Sequence, residues 1–387
     1  MSVALKVMVV DDTITYRMIV KMVAESIPGV QVTASTSNGK LAIAKLATMS
    51  LDERPHAVLL DVEMPEMDGL TALQEIRRQY PDLQVVMVSG ASRSNANIVM
   101  ECLNAGALDF VIKPLESDAH KAKEALRRDL EPILAVVRQK SQRQGPGPAA
   151  PASRFGAPPP PAAALHPRRH GVETPPLTAA APAPPPRRRA AGPGGPPDLL
   201  LIGSSTGGPA ALTTVLASLG GRLNVPALIV QHMPPVFTAS LAQQLTRSSG
   251  LTVREAQAGM TAAPGEVILA QGGHHMTMRR HGAALTVELN DGPKVNECRP
   301  AVDVLFMSVA TQWEGTILSV ILTGMGRDGA KGVEALKKIG KNVYCLTQDK
   351  ESCVVYGMPR AVDELGMSDE SLPLDQIGPR ILELCKS

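Results

Sequence analysis

Residues 141–197 constrain the fold more than any other stretch of the chain. They begin SQRQGPGPAAPASRFG, end PAPPPRRRAAGPGGPP, and hold 17 of the 33 prolines. Proline lacks a backbone donor and fixes φ, so a stretch this rich in it supports neither helix nor sheet. Few apolar side chains are present to offset the entropy of ordering. The stretch therefore reads as a semi-extended linker, and whatever folds must fold on either side of it. It carries seven arginines and one acid, Glu173, for a charge of +6; the chain totals +2, which leaves the flanks at −4. A solvated spacer is the plain reading of this charge. Contact of the PRRR run with an acidic partner or nucleic acid is the sharper one.

Each flank is long enough for a domain, and 44% hydrophobic residues supply a core. Aromatics make up 2% of the chain, too few for stacking platforms on single-stranded nucleic acid. No nucleic-acid partner is expected. Five cysteines, an odd number with no CxxC pair, fit reduced thiols better than a disulfide framework. MSVALKVMVVDD reaches two aspartates too early for a signal peptide, and no apolar run is long enough to span a bilayer. A soluble, cytoplasmic protein without membrane insertion is expected.

The first flank alternates apolar runs (Lys6–Val10, Val30–Ala34, Ala57–Leu60, Gln84–Val88, Leu108–Ile112) with amphipathic segments such as Thr13–Ser26 and Gly69–Gln79. This pattern predicts a five-stranded parallel α/β sheet of flavodoxin-like winding, whose site lies at the carboxyl ends of the strands. Polar residues of one chemistry fall at those ends. Asp11 and Asp12 follow the first run, Asp61 the third, Ser89 the fourth, and Lys113 the fifth. Acids capping helices would explain any one of the aspartates. Three carboxylates converging on one edge repel and call for a cation. Hard oxygen donors suit Mg²⁺, which also binds phosphate oxygens. Asp61 is then a candidate nucleophile toward a phosphoryl group, with Lys113 and Ser89 supporting it.

The motifs VVDD, LLDVEMPEMDG, VMVSGAS and GALDFVIKP span residues 5–115. This segment resembles a response-regulator receiver domain. The resemblance implies Asp61 as phosphoacceptor and a histidine kinase as phosphodonor. It also implies Mg²⁺ held by Asp12, Asp61 and the backbone of Glu63, with Asp11 in support. Phe110 stands where receivers carry a mobile aromatic residue; an ordinary core ring is the alternative.

The second flank opens on LLLIGSSTGGPAAL, an apolar run, a Gly-Ser loop and a helical pattern. The loop has neither G-x-G-x-x-G nor GK[ST]. It is a literal G-x-S-x-G between strand and helix, the setting of a nucleophile elbow. Alone, a phosphate-binding or plain glycine-rich turn fits it equally well. A serine nucleophile needs a base and an acid that orients the base. His232 ends the next run, Ala227–Gln231, and Asp328 follows the run Thr316–Leu322. Parallel strands would bring Ser205, His232 and Asp328 to one edge. Their order, Ser-His-Asp, differs from the Ser-Asp-His order of α/β-hydrolases.

GSSTGG, QHMPPVFT, LTGMGRDGAKG and QDKESCVVYGMPRAV make residues 198–387 resemble the catalytic domain of chemotaxis protein-glutamate methylesterases. The resemblance implies a second doubly wound, mostly parallel α/β domain with Ser205 as nucleophile, His232 as general base and Asp328 as its partner. The backbone N–H groups of Thr206 and Met325 would form the oxyanion site, and no cofactor would serve the esterase. It further implies a phosphorylation-activated enzyme that hydrolyses glutamate methyl esters of chemoreceptors to glutamate and methanol. Deamidation of receptor glutamines by the same route is implied too, as is a receiver that covers the active site until phosphorylated. The expected division is a receiver over 1–140, the linker over 141–197 and the catalytic domain over 198–387. The long linker sets this chain apart from a short helical joint and predicts looser inhibition.

Three other functions are weighed: a receiver-controlled DNA binder, for which no helix-turn-helix pattern follows residue 197; an inactive scaffold; and the same chemistry on another methylated regulator. His274, His275 and His281 suggest a metal at first sight. Adjacent residues on a strand face opposite ways, so a shared ion is not expected. The resemblance instead implies that His275 lines the cleft. Cys353 reads as a small buried hydrophobe.

Overall fold

The computed structural model describes residues 4–114, 118–143, 194–281, 284–338 and 342–386, so nearly all of the expected linker lies outside the described residues. The first domain contains β1 (Leu5–Val10), α1 (Ile14–Ser26), β2 (Val30–Thr36), α2 (Gly39–Thr48), β3 (Ala57–Asp61), α3 (Gly69–Gln79), β4 (Gln84–Ser89), α4 (Arg93–Asn104), β5 (Asp109–Ile112) and α5 (Ala119–Arg143). Its sheet runs in the order β2-β1-β3-β4-β5, parallel throughout, as the alternation predicts. Every residue of β3 and β4 is buried, so these strands carry near-continuous apolar side chains rather than an alternating pattern. α5 runs three residues into the stretch read as linker, because the first proline there is Pro146.

The second domain comprises β6 (Leu199–Ser204), α6 (Gly208–Leu219), β7 (Ala227–Gln231), α7 (Phe237–Ser249), β8 (Thr252–Glu255), β9 (Glu266–Leu269), β10 (His275–His281), β11 (Ala284–Asn290), α8 (Val302–Gln312), β12 (Ile317–Ile321), α9 (Ala330–Lys338), β13 (Val343–Gln348), α10 (Met358–Glu364), β14 (Glu370–Leu372) and α11 (Leu374–Cys385). Seven parallel strands form one sheet in the order β14-β13-β12-β6-β7-β9-β8. The three central strands, β12, β6 and β7, are buried at every residue. Their carboxyl ends lie side by side, which sets the loops after them next to one another. The antiparallel hairpin β10–β11 stands apart and packs on α8.

The two domains touch. Phe110 on β5 stacks on Phe237 at the start of α7, with ring centroids 4.6 Å apart and planes inclined by 29°. α4 lies against α7, and Met325, Val354 and Val355 pack against the core of the first domain. Phe110 is partly buried against the core, and its ring partner belongs to the other domain.

Candidate functional site

At the carboxyl edge of the first sheet, Asp11, Asp12 and Asp61 bring ligand oxygens within 4.8 Å of one another. Lys113 Nζ lies 2.7 Å from both Asp11 Oδ2 and Asp61 Oδ2. Burial pushes the Asp61 carboxyl up to about 6; Lys113 opposes this and Asp11 adds to it. One lysine therefore leaves the carboxylates under-compensated, and their hard oxygens fit a divalent cation such as Mg²⁺. The Glu63 side chain takes a bond of 3.4 Å from Asn95 Nδ2 and stands outside the acid cluster. Ser89 Oγ donates to Gly90 O at 3.1 Å and reaches neither Asp61 nor Lys113.

In the second domain the loop after β6 separates the two serines by role. Ser204 is fully buried and its Oγ donates to Gln231 Oε1 at 2.7 Å. Ser205 is half-buried, one residue beyond the strand, and its N–H donates to Thr323 O. Gln231 Nε2 donates to the carbonyls of Ser205 and His232, both at 3.0 Å, and so staples the two loops together. Gly207 sits at φ 75°, and a Cβ there would meet Val354. Gly208 opens α6, where a Cβ would collide with Gln231 Oε1. Both glycines are needed for the tight passage from strand to helix.

His232 Nε2 and Asp328 Oδ2 are 2.7 Å apart, and both side chains are largely buried. Burial alone would lower the His232 pKa, but the bonds to Asp328 and Cys298 overcome it and raise it to about 9. Burial works to raise Asp328; the bond from His232 outweighs it and holds that carboxyl below the usual range. The other ring nitrogen, Nδ1, lies 3.3 Å from Cys298 Sγ. The structure thus brings His232 to Asp328, and sets the His232 N–H on Ser204 O beside the nucleophile candidate, without a hydrogen bond between His232 and Ser205. Among the described residues, the N–H groups of Thr206 and Met325 donate to no protein acceptor.

Asp328 looks in sequence like the cap of the helix that follows it. It instead accepts from Val302 N at 2.6 Å and Asp303 N at 3.0 Å, and so caps α8. Asp303, in turn, accepts from Gly329 N and Gly332 N at the start of α9. Asn296 Nδ2 bridges the two acids, 2.9 Å from each. Asn296, Cys298 and Asp303 escaped the sequence reading; the VNECRPAVD segment leading into α8 was the only signal for them.

Among the described residues, His274 and His275 do not share a site. His274 Nδ1 pairs with Asp291 at 2.5 Å, while the buried His275 bonds Pro293 O through Nε2. The His281 side chain lies outside the described residues. Cys353, expected as a small buried hydrophobe, is only half-buried, with Sγ 3.8 Å from Gln348 O; burial nonetheless pushes its thiol up to about 12.

Residues 200–381 match the family model for the CheB methylesterase, and residues 7–124 match that for the response regulator receiver domain. The chain is 40% identical to protein-glutamate methylesterase/protein-glutamine glutaminase 2 of Caulobacter vibrioides, over 99% of each chain. It is 37% identical to protein-glutamate methylesterase/protein-glutamine glutaminase of Desulfotalea psychrophila, again over 99% of each. Among solved structures, the CheB methylesterase catalytic domain of Thermotoga maritima is similar at 40% identity and a TM-score of 0.47, covering 49% of this chain and 98% of that one. Identity of this order along the whole length, with both domain families in order, means that the chain belongs to the receiver-linked protein-glutamate methylesterase/protein-glutamine glutaminase family.

Proposed function

We propose that this protein is a phosphorylation-activated esterase that hydrolyses glutamate methyl esters of chemoreceptors to glutamate and methanol, and deamidates receptor glutamines by the same route. The observation that carries the reading is the His232–Asp328 pair beside the Ser205 loop, next to two amides with no protein acceptor. Ser205 Oγ attacks the ester carbonyl while His232 takes its proton, and Asp328 stabilises the imidazolium. The Thr206 and Met325 N–H groups receive the developing oxyanion. The intermediate collapses, His232 returns the proton to the departing methoxide, and methanol leaves. Water, deprotonated by His232, then frees the glutamate and restores Ser205. On this reading the esterase itself needs no cofactor.

In the receiver, taken as residues 1–140, Asp61 accepts the phosphoryl group from a histidine kinase. Asp11, Asp12, Asp61 and the Glu63 carbonyl would hold Mg²⁺, which when bound shields the charge of the incoming group. Lys113 pairs with that group, and Ser89 turns from Gly90 to donate to it. Phosphorylation adds charge beside β5, whose Phe110 seats the receiver on α7, and so loosens the cover over the catalytic domain, taken as 198–387. Residues 141–197 tether the two. No helix among the described residues is long and apolar enough to cross a membrane, which suits an enzyme acting in the cytoplasm. The charge balance and the scarcity of rings give no support to a nucleic-acid partner.

The test is methanol release from methylated receptor fragments, with and without acetyl phosphate. Wild type should respond to the donor, Ser205→Ala should release nothing, and Asp61→Asn should release at the unstimulated rate. Release by Ser205→Ala equal to wild type would refute the reading.

A further inference from the structure

The base nitrogen of this site is already occupied. His232 Nε2 is committed to Asp328, which leaves Nδ1 as the nitrogen that must receive the Ser205 proton, and Cys298 Sγ lies 3.3 Å from it. An imidazole nitrogen has one lone pair or one proton. If Nδ1 accepts from the thiol, it cannot accept from Ser205. If it donates to the sulfur, it is not a base.

The contact is built into the backbone. Val295 and Cys298 exchange two backbone hydrogen bonds, of 3.1 and 2.9 Å, around a two-residue turn. Its central residues, Asn296 and Glu297, have φ of 50° and 62°. Both lie in the left-handed region, which asparagine tolerates and glutamate adopts at a cost. The turn delivers two side chains to one dyad: Asn296 Nδ2 to Asp328 Oδ1 and Cys298 Sγ to His232 Nδ1. Cys298 is half-buried, so its thiol is shielded but not sealed.

We propose that Cys298 is a positioning residue that holds His232 in a resting arrangement, by engaging the ring nitrogen that Ser205 needs. Activation then has two parts: uncovering the cleft, and transferring Nδ1 from sulfur to the serine hydroxyl. The inference rests on the reading of His232 as the base. The groups that bear on the ring agree with it. Asp328 on the loop before α9 and Cys298 on the loop before α8 both favour the protonated ring, and Asp303 stands behind Asp328 through Asn296. A ring held protonated at neutral pH is a poor base until one of these partners lets go.

The test uses the full chain and two variants, Cys298→Ala and Cys298→Ser. The ring of His232 is followed by NMR in protein carrying labelled histidine, with His232→Gln identifying its signal among the eight. In Cys298→Ala the titration midpoint should fall by about one unit or more, a tenfold loss of proton affinity. Serine, which keeps a hydrogen-bonding group of nearly the same reach, should fall between the two. Methanol release without phosphoryl donor should rise several-fold in Cys298→Ala at neutral pH, in kcat and not in KM, with the acid limb of its pH profile moved down by the same amount. An unmoved midpoint would overturn the proposal. So would a moved midpoint with lowered kcat, since Cys298 would then be placing the ring for reaction. A moved midpoint with no methanol from any protein, wild type included, would uphold the restraint on His232 and remove the esterase reading. Thermal melting of Cys298→Ser, nearly isosteric, separates these outcomes from misfolding.

Discussion

Phe110→Ala is expected to raise activity without touching the catalytic domain. Phe110 is half-buried, and its ring stacks on the fully buried Phe237 at 4.6 Å. Such a pair contributes about 0.5–1.5 kcal/mol beyond area burial. The half-buried ring adds on the order of 1 kcal/mol of lost apolar contact. Together these weaken the docking of the receiver by about 2 kcal/mol. If the covered state dominates the unstimulated enzyme, the uncovered fraction rises about 30-fold. The rise stops where the uncovered state becomes the majority. The assay is methanol release from the full chain with and without acetyl phosphate. The variant should release faster without donor and respond less to it, because part of what phosphorylation supplies is already present. Melting should change little, since Phe110 faces a partner outside its own domain. Unstimulated release equal to wild type, from a variant that melts as wild type does, would refute the reasoning: the ring pair would then be a contact without a share in the restraint.

Three further outcomes follow from the geometry. Gly208→Ala should cost at least tenfold in kcat, because the new Cβ collides with the Gln231 carboxamide that holds the Ser205 and His232 loops together; steady-state kinetics check this against intact far-UV dichroism. The folded-state pKa of His232 lies above its unfolded value, so the stability it contributes is complete below about pH 6.5 and is lost as pH rises through about 9. Denaturant unfolding should therefore register on the order of 3 kcal/mol less stability for this group at alkaline pH, with the slope missing in His232→Gln. Glu370→Ala should destabilise the second domain by about 3–5 kcal/mol, since Arg380, 9% exposed and bonded to both Glu370 oxygens, would lose its main partner; thermal melting reads it directly.

How much of this was legible depended on whether the information was local. Asp11, Asp12, Asp61 and Lys113 could be placed because each ends a strand of a regularly alternating sheet, and alternation fixes the edge on which strand ends meet. Ser205, His232 and Asp328 follow the three central strands of the second sheet for the same reason. β8, β9 and β14, of three or four residues each, carry too few positions for a pattern to show. Contacts that join distant segments were silent. Nothing in FVIKP announces that its phenylalanine meets a ring 127 positions away. Nothing beside Asp328 says that the helix it caps begins 26 residues earlier. The Ser89 hydroxyl stands at the expected strand end but turns to Gly90, a choice of rotamer that strand order does not determine.

The crossed capping of α8 and α9 bears on what this chain could become. Asp328 is at once the partner of His232 and the anchor of α8, and Asp303 does for α9 what Asp328 does for α8. A lineage that gave up hydrolysis and kept only the shape could not simply let the acid drift, because α8 would lose its cap with it. Retention of Asp328 by itself is therefore poor testimony to chemistry. Ser205 has no comparable structural duty for its side chain among the described residues, and its hydroxyl is the part of this site that a purely architectural protein would be free to discard.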